Sequence, residues 1–237
     1  MDVLGDAIDR ETRSNATALR APAVGRTYDY RRFCTSAWKV GNFLRHLGVR
    51  GGAGVAIADD PVPEPVLTFY GAALLGGIVR FGPPDDVDGV RALVIPESDF
   101  GGYATGPSVK RVAYGGAPDD PSASYFERDV WSENPTEPPD VIATDDPLLR
   151  TRDGTYSHGA VVGAAETVVE EHGIAPGDEV VVNGSFTEAG VVAAGLVAPI
   201  VAGATVVLDA GSVGDIVVGG PESDVKTSEL LDGTETR

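Results

Sequence analysis

The chain of 237 residues contains two halves that repeat one order of features at an offset of about 125 residues. Over residues 33–47 the apolar positions step by three and four, which is the period of a helix with one buried face. The same step recurs over residues 161–172. Asp29 and Ser157 stand where each helix needs an N-cap. The sequence therefore predicts two structural units of the same kind.

The rest of each half also follows a shared order. Gly48 and Gly173 close the two predicted helices, and each is followed by a buried strand, a second helix and a further strand. Both halves then reach the letters Pro-Glu-Ser-Asp, at residues 96–99 and 221–224. Strands that alternate with helices indicate parallel sheets with right-handed crossovers. We expect an α/β fold of two similar subdomains, with mainly parallel sheets flanked by helices and related by an internal repeat.

Composition along the chain suggests the boundaries of these units. We place a first α/β subdomain at residues 1–116 and a second at residues 148–225. Residues 117–147 carry six prolines among many acids, which predicts a Pro- and Asp-rich surface linker. Residues 226–237 are polar and are expected to fray.

The charge of the chain excludes two classes of partner. Lys plus Arg number 18 against 36 Asp plus Glu, so the net charge is −18, and no window forms a basic patch. Nucleic acids and anionic membranes need clustered cations, so neither is an expected partner. A surface rich in Asp, with only three Lys, predicts a protein of a high-salt cell such as a haloarchaeon, where the Debye length falls to about 3 Å. A generally acidic protein of ordinary cells is the alternative.

Three features predict a cytoplasmic protein. Cys34 is the single cysteine, which excludes an internal disulfide and fits a reducing compartment as a buried, inert thiol. The first ten residues do not resemble a signal peptide. Residues 190–208 are uncharged over nearly the length of a membrane span, but Pro199 and Gly203 interrupt them. A buried helix, a turn and a strand explain that stretch better.

Two loops are candidate phosphate sites, because glycines and hydroxyls before a helix can present backbone N–H groups to an anion. Residues 50–54 have the glycines but precede a strand, so a turn is expected there. Residues 148–159 lead into a helix and are the better candidate. Their candidate ligand contacts are Thr151, Arg152, Gly154, Thr155 and His158. Since Asp153 would repel an anion, a plain turn is the alternative.

The histidines do not indicate a catalytic or metal site. His46, His158 and His172 fall on separate helical segments, with no spacing suited to a metal or a catalytic triad. His46 and His172 are expected to meet the C-terminal dipoles of the paired helices. We therefore predict no catalytic residue and no metal.

Five blocks carry a resemblance to a known family. They are TYDYRRFCTSAWKVGNFLRHLGVRGGAGVAIADD, FYGAALLGGIVRFGPP, DDPLL, SHGAVVGAAE and GLVAPIVAGATVVL, spanning about residues 27–208. Their order resembles the N-terminal part of the adenylate-forming, AMP-binding superfamily of acyl-CoA synthetases, which includes acetyl-CoA synthetase and luciferase. The resemblance implies a large N-terminal domain of two similar α/β subdomains. It is also the sole reason to consider ATP, AMP or CoA as a cofactor.

The departures from the family concern its chemistry. Members carry a Gly/Ser/Thr-rich phosphate loop and Pro-Lys-Gly before a Thr-His pair, which Ser157-His158 matches. Here the loop is reduced, and an ungapped count puts Arg152 at the lysine position. Thr187 stands at the histidine of the family's aromatic-His-x-x-Gly segment. The adenine motif, the acidic ribose contact and the C-terminal domain with its catalytic lysine have no counterpart.

These departures predict a truncated, non-catalytic homologue of an acyl-CoA synthetase, with an accessory or regulatory role and an unknown ligand. One alternative is one chain of a split, ATP-dependent acid–CoA ligase that needs a second chain. Another is an acyl- or CoA-binding protein. Because a shortened α/β domain leaves sheet edges that need cover, we expect a homo-oligomer or a second protein chain as partner.

Overall fold

The computed structural model describes residues 1–83, 87, 89–103, 105–209 and 211–231. The strands within these residues are β1 Thr17–Ala21, β2 Arg26–Asp29, β3 Gly54–Ile57, β4 Ile78–Phe81, β5 Val90–Pro96, β6 Lys110–Tyr114, β7 Ser124–Tyr125, β8 Pro147–Arg150, β9 Thr155–Ser157, β10 Glu179–Val182, β11 Thr205–Val207 and β12 Ile216–Val218. The helices are α1 Tyr30–His46, α2 Pro63–Ala73, α3 Phe126–Asp129, α4 His158–His172, α5 Ala189–Val191 and α6 Ala198–Ala202. Five short 3-10 helices lie at Leu4–Ile8, Pro22–Val24, Glu97–Gly102, Val130–Ser132 and Thr227–Glu229.

The strands form two sheets. The first has the order β7-β6-β5-β3-β4-β8-β9, and the second has the order β12-β10-β11-β1-β2. Neighbouring strands run parallel except in the hairpins β1–β2 and β8–β9. The α/β fold with two mainly parallel sheets flanked by helices is therefore confirmed.

The two halves of the chain exchange their hairpins. The β1–β2 hairpin lies beside β11 in the second sheet, and the β8–β9 hairpin lies beside β4 in the first. The hydroxyl of Tyr30 ties the first hairpin to its sheet by donating to the carbonyl of Ala204 at 2.7 Å, and Thr205 donates to the carbonyl of Thr17 at 3.0 Å. Each sheet thus draws strands from both predicted subdomain ranges. The order β5-β3-β4-β8-β9 in one sheet matches β12-β10-β11-β1-β2 in the other.

The paired helices α1 and α4 begin and end as their sequences predict. The side chain of Asp29 accepts the N–H of Arg32 at 2.6 Å, and that of Ser157 accepts the N–H of Ala160 at 3.2 Å. Gly173 closes α4 with a φ of 64°, a left-handed conformation that favours glycine. Both predicted N-caps are confirmed.

The uncharged stretch of residues 190–208 is interior structure. It consists of α5, a π-helical stretch at Val192–Val197, α6, a left-handed turn at Gly203 and the buried strand β11. The predicted series of helix, turn and strand is confirmed. None of the helices in the described ranges combines the length and the apolar character that a membrane crossing requires.

Residues 117–147 have more structure than a linker requires. They contain β7, which pairs with β6, and α3. Asn42 on α1 donates to the carbonyls of Asn134 and Thr136, at 3.0 and 2.7 Å. In the segment expected to fray, residues 226–231 lie against α5 and bury Leu231, while residues 232–237 lie outside the described residues.

Candidate functional site

The loop predicted to hold phosphate is the turn of the β8–β9 hairpin. Arg150 pairs with Thr155 in the ladder, so only residues 151–154 remain to connect the strands. The N–H of Thr151 donates to the carbonyl of Gly154 at 2.8 Å, and the N–H of Asp153 donates to the hydroxyl of Thr151 at 3.2 Å. These bonds occupy two backbone donors and orient the hydroxyl within the turn. The segment is therefore a hairpin turn in which two backbone donors are already bonded.

The turn nevertheless faces an open cleft of about 320 Å³. The cleft lies at the carboxyl end of β4, against the turn and the residues that precede α5. Its lining residues are Arg80, Phe81, Gly82, Thr151, Arg152, Asp153, Thr187 and Glu188. Carboxyl ends of parallel strands are the usual place for ligands in α/β folds.

The sequence-predicted site residues separate in the structure. Thr151 and Arg152 line the cleft, whereas Gly154 and Thr155 belong to the turn and β9 without lining it. The side chain of Arg152 is 94% exposed, and its Nε lies 3.8 Å from a carboxylate oxygen of Asp153. Arg152 can therefore reach a ligand only from the rim.

His158 lies away from the cleft, fully buried at the start of α4. Its Nδ1 accepts the N–H of Leu4 at 3.3 Å, so the neutral ring carries its hydrogen on Nε2, which is buried and makes no hydrogen bond to protein atoms. Burial lowers the pKa of His158 to about 4, against weaker opposing effects of Asp146 and Asp6. The ring is thus a neutral structural group that anchors the N-terminal segment.

The second wall of the cleft is fixed by a network that joins the two sheets. Asp59, which follows β3, accepts the hydroxyl of Ser185 at 2.5 Å and the N–H of Phe186 at 2.8 Å. The hydroxyls of Ser185 and Thr187 lie 2.5 Å apart. Gly82 packs so closely on this wall that an added Cβ would lie 2.6 Å from Cγ2 of Thr187. Thr187 is therefore held by hydrogen bonds and by packing.

The charges of the cleft balance one another. Arg80 and Arg152 supply two cations, and Asp153 and Glu188 supply two anions. Stabilising a nucleoside triphosphate needs an excess of positive charge or oriented N–H donors at the phosphates. The cleft offers room and hydroxyls for a small ligand but little to hold a triphosphate.

The remaining predicted residues have structural roles. Nδ1 of His46 lies 2.9 Å from a carboxylate oxygen of Glu133, and Cys34 is buried. In the 50–54 loop the N–H of Ala53 donates to the carbonyl of Arg50, which forms the expected turn before β3. Within the residues that the structure describes, no group of three or more His, Cys, Asp or Glu side chains is arranged to hold a metal.

Sequence reasoning missed two contributors to the site. Arg80 is the one charge in the strand letters IVRF, a position that could have marked it as functional. Asp59 was not singled out from the other surface acids, because only the tertiary fold brings it to Ser185. The first had a sequence signal and the second had none.

Comparison with known proteins identifies the fold. No family model and no curated protein matches the sequence. Among solved structures, the anthranilate CoA ligase AuaEII in complex with anthranoyl-AMP matches with a TM-score of 0.74 and 22% identity, over 89% of this chain and 45% of that chain. The N-terminal domain of FACL13 from Mycobacterium tuberculosis matches with a TM-score of 0.73 and 17% identity, over 87% of this chain and 57% of that chain. A benzoate CoA ligase from Burkholderia xenovorans LB400 matches with a TM-score of 0.74 and 19% identity, over 88% of this chain and 46% of that chain.

The chain thus spans less than half the length of two of these ligases. Below 25% identity, the likeness concerns the fold. The chain has the fold of the N-terminal part of adenylate-forming acyl-CoA and aryl-CoA ligases.

Proposed function

We propose that this protein is a non-catalytic relative of the acyl-CoA ligases, with an accessory or regulatory role, and that its cleft binds a small ligand without adenylating it. The observation that carries the proposal is the closed turn at residues 151–154, in which the N–H groups of Thr151 and Asp153 bond within the hairpin. Adenylation requires the pyrophosphate leaving group to be stabilised while a carboxylate attacks the α-phosphate. A turn that uses two of its four backbone donors internally has fewer to offer to that step.

The cleft itself supports ligand binding. Its volume of about 320 Å³ lies at the lower end of the range for small-molecule sites, and Arg80, Thr151 and Thr187 among its lining residues can offer a cation and two hydroxyls to a polar ligand. By resemblance to the ligases, an acyl acid or an acyl-CoA is the ligand class to test first. Only that resemblance suggests ATP, AMP or CoA as a ligand, and the proposed role needs none of them as a cofactor.

The test has a chemical arm and a binding arm. Pyrophosphate exchange into ATP is measured with Mg²⁺ and a panel of short-chain, long-chain and aromatic acids, with a benzoate CoA ligase as the positive control. We expect no exchange above the protein-free blank. Acid-dependent exchange by this protein alone would overturn the non-catalytic assignment.

The binding arm measures thermal shifts with the same acids and with acyl-CoAs, since a ligand at 100 times its Kd adds about 2.7 kcal/mol of stability. Arg80→Ala should weaken any shift, whereas Arg128→Ala, which replaces an exposed arginine outside the cleft, should not. Equal shifts in both variants would place the ligand elsewhere.

A split ligase is the second candidate, because the chain matches only 45% of the anthranilate CoA ligase. In that case a second chain supplies the remaining ligase parts, and the pair is an ATP-dependent acid–CoA ligase. Affinity purification from the native cell should then yield a stoichiometric second chain and restore pyrophosphate exchange. Isolation of a single species argues against this candidate.

We also propose a cytoplasmic, high-salt setting and a homo-oligomeric state. The net charge of −18 supports the first, because closely spaced carboxylates repel less when salt screens them. Unfolding midpoints should rise between about 0.2 and 3 M KCl, and a fall would contradict the proposal of a high-salt setting.

The proposed homo-oligomer is tested by light scattering in high salt, which measures the mass of the protein in solution. A monodisperse monomer would exclude the oligomer.

A further inference from the structure

Residues 221–231 follow β12, contact its edge and continue to α5, and we call them the strap. The N–H of Asp224 donates to the carbonyl of Val217 at 2.8 Å, and a carboxylate oxygen of Asp224 accepts the N–H of Val217 at 2.7 Å. Val217 is the central residue of β12, the edge strand that pairs with β10 on its other side. Asp224 thus satisfies the backbone groups of Val217 that a further strand would use.

The first sheet shows what happens at the corresponding edge without a strap. The letters Pro-Glu-Ser-Asp follow β5 as they follow β12, but residues 97–102 form a 3-10 helix and the chain continues into β6. β6 then pairs with β5 in parallel, on the side away from β3. The strap therefore lies where the first sheet adds another strand.

The strap also contacts the helix next to the cleft. Val225 and Leu231 are each only 4% exposed and anchor it in the core. The carbonyl of Thr227 lies against Gly190, where an added Cβ would be 1.8 Å from the oxygen. Gly190 is the second residue of α5 and follows Glu188 in the cleft wall by two positions.

On its other side the strap is loosely packed. A cleft of about 430 Å³ separates it from Thr167, Glu171 and His172 on α4. Segments with few buried contacts open at lower free energy than the core. The strap is therefore held through β12, α5 and its two apolar anchors, with a cleft between it and part of α4.

We propose that the strap is a displaceable closure that couples the edge of β12 to the cleft. When seated, it ends the second sheet and holds the first turn of α5, which positions Thr187 and Glu188. When displaced, it frees the N–H and carbonyl of Val217 and loosens that wall of the cleft.

The experiment is amide hydrogen exchange on the full chain carrying Gly190→Ala. The added methyl cannot coexist with the carbonyl of Thr227 in its present place, so the amides of Val217 and of the strap should exchange about tenfold faster. Gly163→Ala is the matched control, because its Cβ on α4 meets no atom within 4 Å. The control should exchange like the unsubstituted protein.

Asp224→Ala tests the same closure from the other end and disturbs no packing at Gly190. It should accelerate exchange at Val217 and, through the loosened strap, at residues 187–190. In the Asp224→Ala variant, faster exchange at Val217 with no change at residues 187–190 would overturn the coupling. Unchanged exchange of Val217 in both variants would overturn the closure.

Discussion

The carboxylate of Asp59 accepts the hydroxyl of Ser185 at 2.5 Å, and this bond links the carboxyl end of β3 in one sheet to the turn after β10 in the other. The same carboxylate accepts the N–H of Phe186 at 2.8 Å. One surface acid among 36 therefore fixes the wall of the cleft across the two sheets.

Replacing Asp59 with alanine should destabilise the protein by about 1 to 2 kcal/mol, because hydrogen bonds to a charged group are stronger than neutral ones but this group is exposed. Denaturant unfolding measures the change. Asp59→Asn should lose less stability than Asp59→Ala, since its amide oxygen can still accept a hydrogen bond from Ser185 or Phe186. Asp119→Ala, which removes an exposed acid from another loop, is the control and should change stability by less than about 0.5 kcal/mol.

A second prediction concerns the buried ion pair of Arg26 and Glu64. The guanidinium of Arg26 donates to the Glu64 carboxylate, which is 4% exposed, and to the hydroxyl of Tyr28 at 2.5 Å. Arg26→Ala leaves that carboxylate buried without its partner and should cost about 3 kcal/mol. The double variant Arg26→Met with Glu64→Leu should lose less than Arg26→Ala alone. An equal or larger loss in the double variant would contradict this account.

The pH dependence of this pair has a defined sign. Burial raises the pKa of Glu64, against the opposing effect of Arg26. Stability from a raised acid pKa is present at low pH and is lost as pH rises through the folded-state value. The penalty of Arg26→Ala should therefore be smaller at pH 4, where more of the Glu64 carboxyl is protonated, than at pH 7. A penalty that is independent of pH would show that Glu64 keeps a charge partner in the variant.

The third prediction concerns His158, whose pKa is lowered by burial to about 4. A depressed pKa contributes stability that is present above the unfolded value, near 6.5, and is lost as pH falls through the folded value. Between pH 6.5 and 4 this residue should therefore account for a loss of about 3 kcal/mol. The free energy of unfolding is measured against pH for the unsubstituted protein and for His158→Asn, which keeps an acceptor near Leu4 but does not titrate. The difference between the two curves isolates that loss. Parallel curves for the two proteins would show that His158 does not titrate in this window.

Local chemistry was readable from the sequence because it depends on neighbours along the chain. The periods of α1 and α4, the caps at Asp29 and Ser157 and the closing Gly173 all follow from contacts within a few residues. The exchange of the two hairpins was not predictable. It depends on Leu19 pairing with Val206, and no local pattern distinguishes that partner from a strand nearer in sequence.

In the candidate site, too, the sequence predicts what depends on local motifs and not what depends on tertiary contacts. Position within a motif led to Thr151 and Arg152, which do line the cleft, but also to His158, which does not. A residue at a helix start can point toward a cleft or toward the core, and the contact with Leu4 decides the direction here. Glu64 lies in the first turn of α2, where an exposed acid would be usual, but here it is buried. Its burial depends on Arg26, which a strand of the other sheet supplies.

The last prediction tests the close packing of Gly82 on Thr187. Gly82 has a φ of 64°, and an added Cβ would lie 2.6 Å from Cγ2 of Thr187. Gly82→Ala should therefore cost about 1 to 2 kcal/mol for the left-handed backbone and a further amount for the clash. Thr187→Ser removes Cγ2 but keeps the hydroxyl beside Ser185, so in the double variant only the backbone share should remain. A double-mutant cycle measured by denaturant unfolding gives the coupling directly, with a favourable interaction of at least about 0.5 kcal/mol expected between the two changes. Additive losses would mean that Thr187 moves aside freely, and the cleft wall would then be less rigid than its hydrogen bonds to Ser185 indicate.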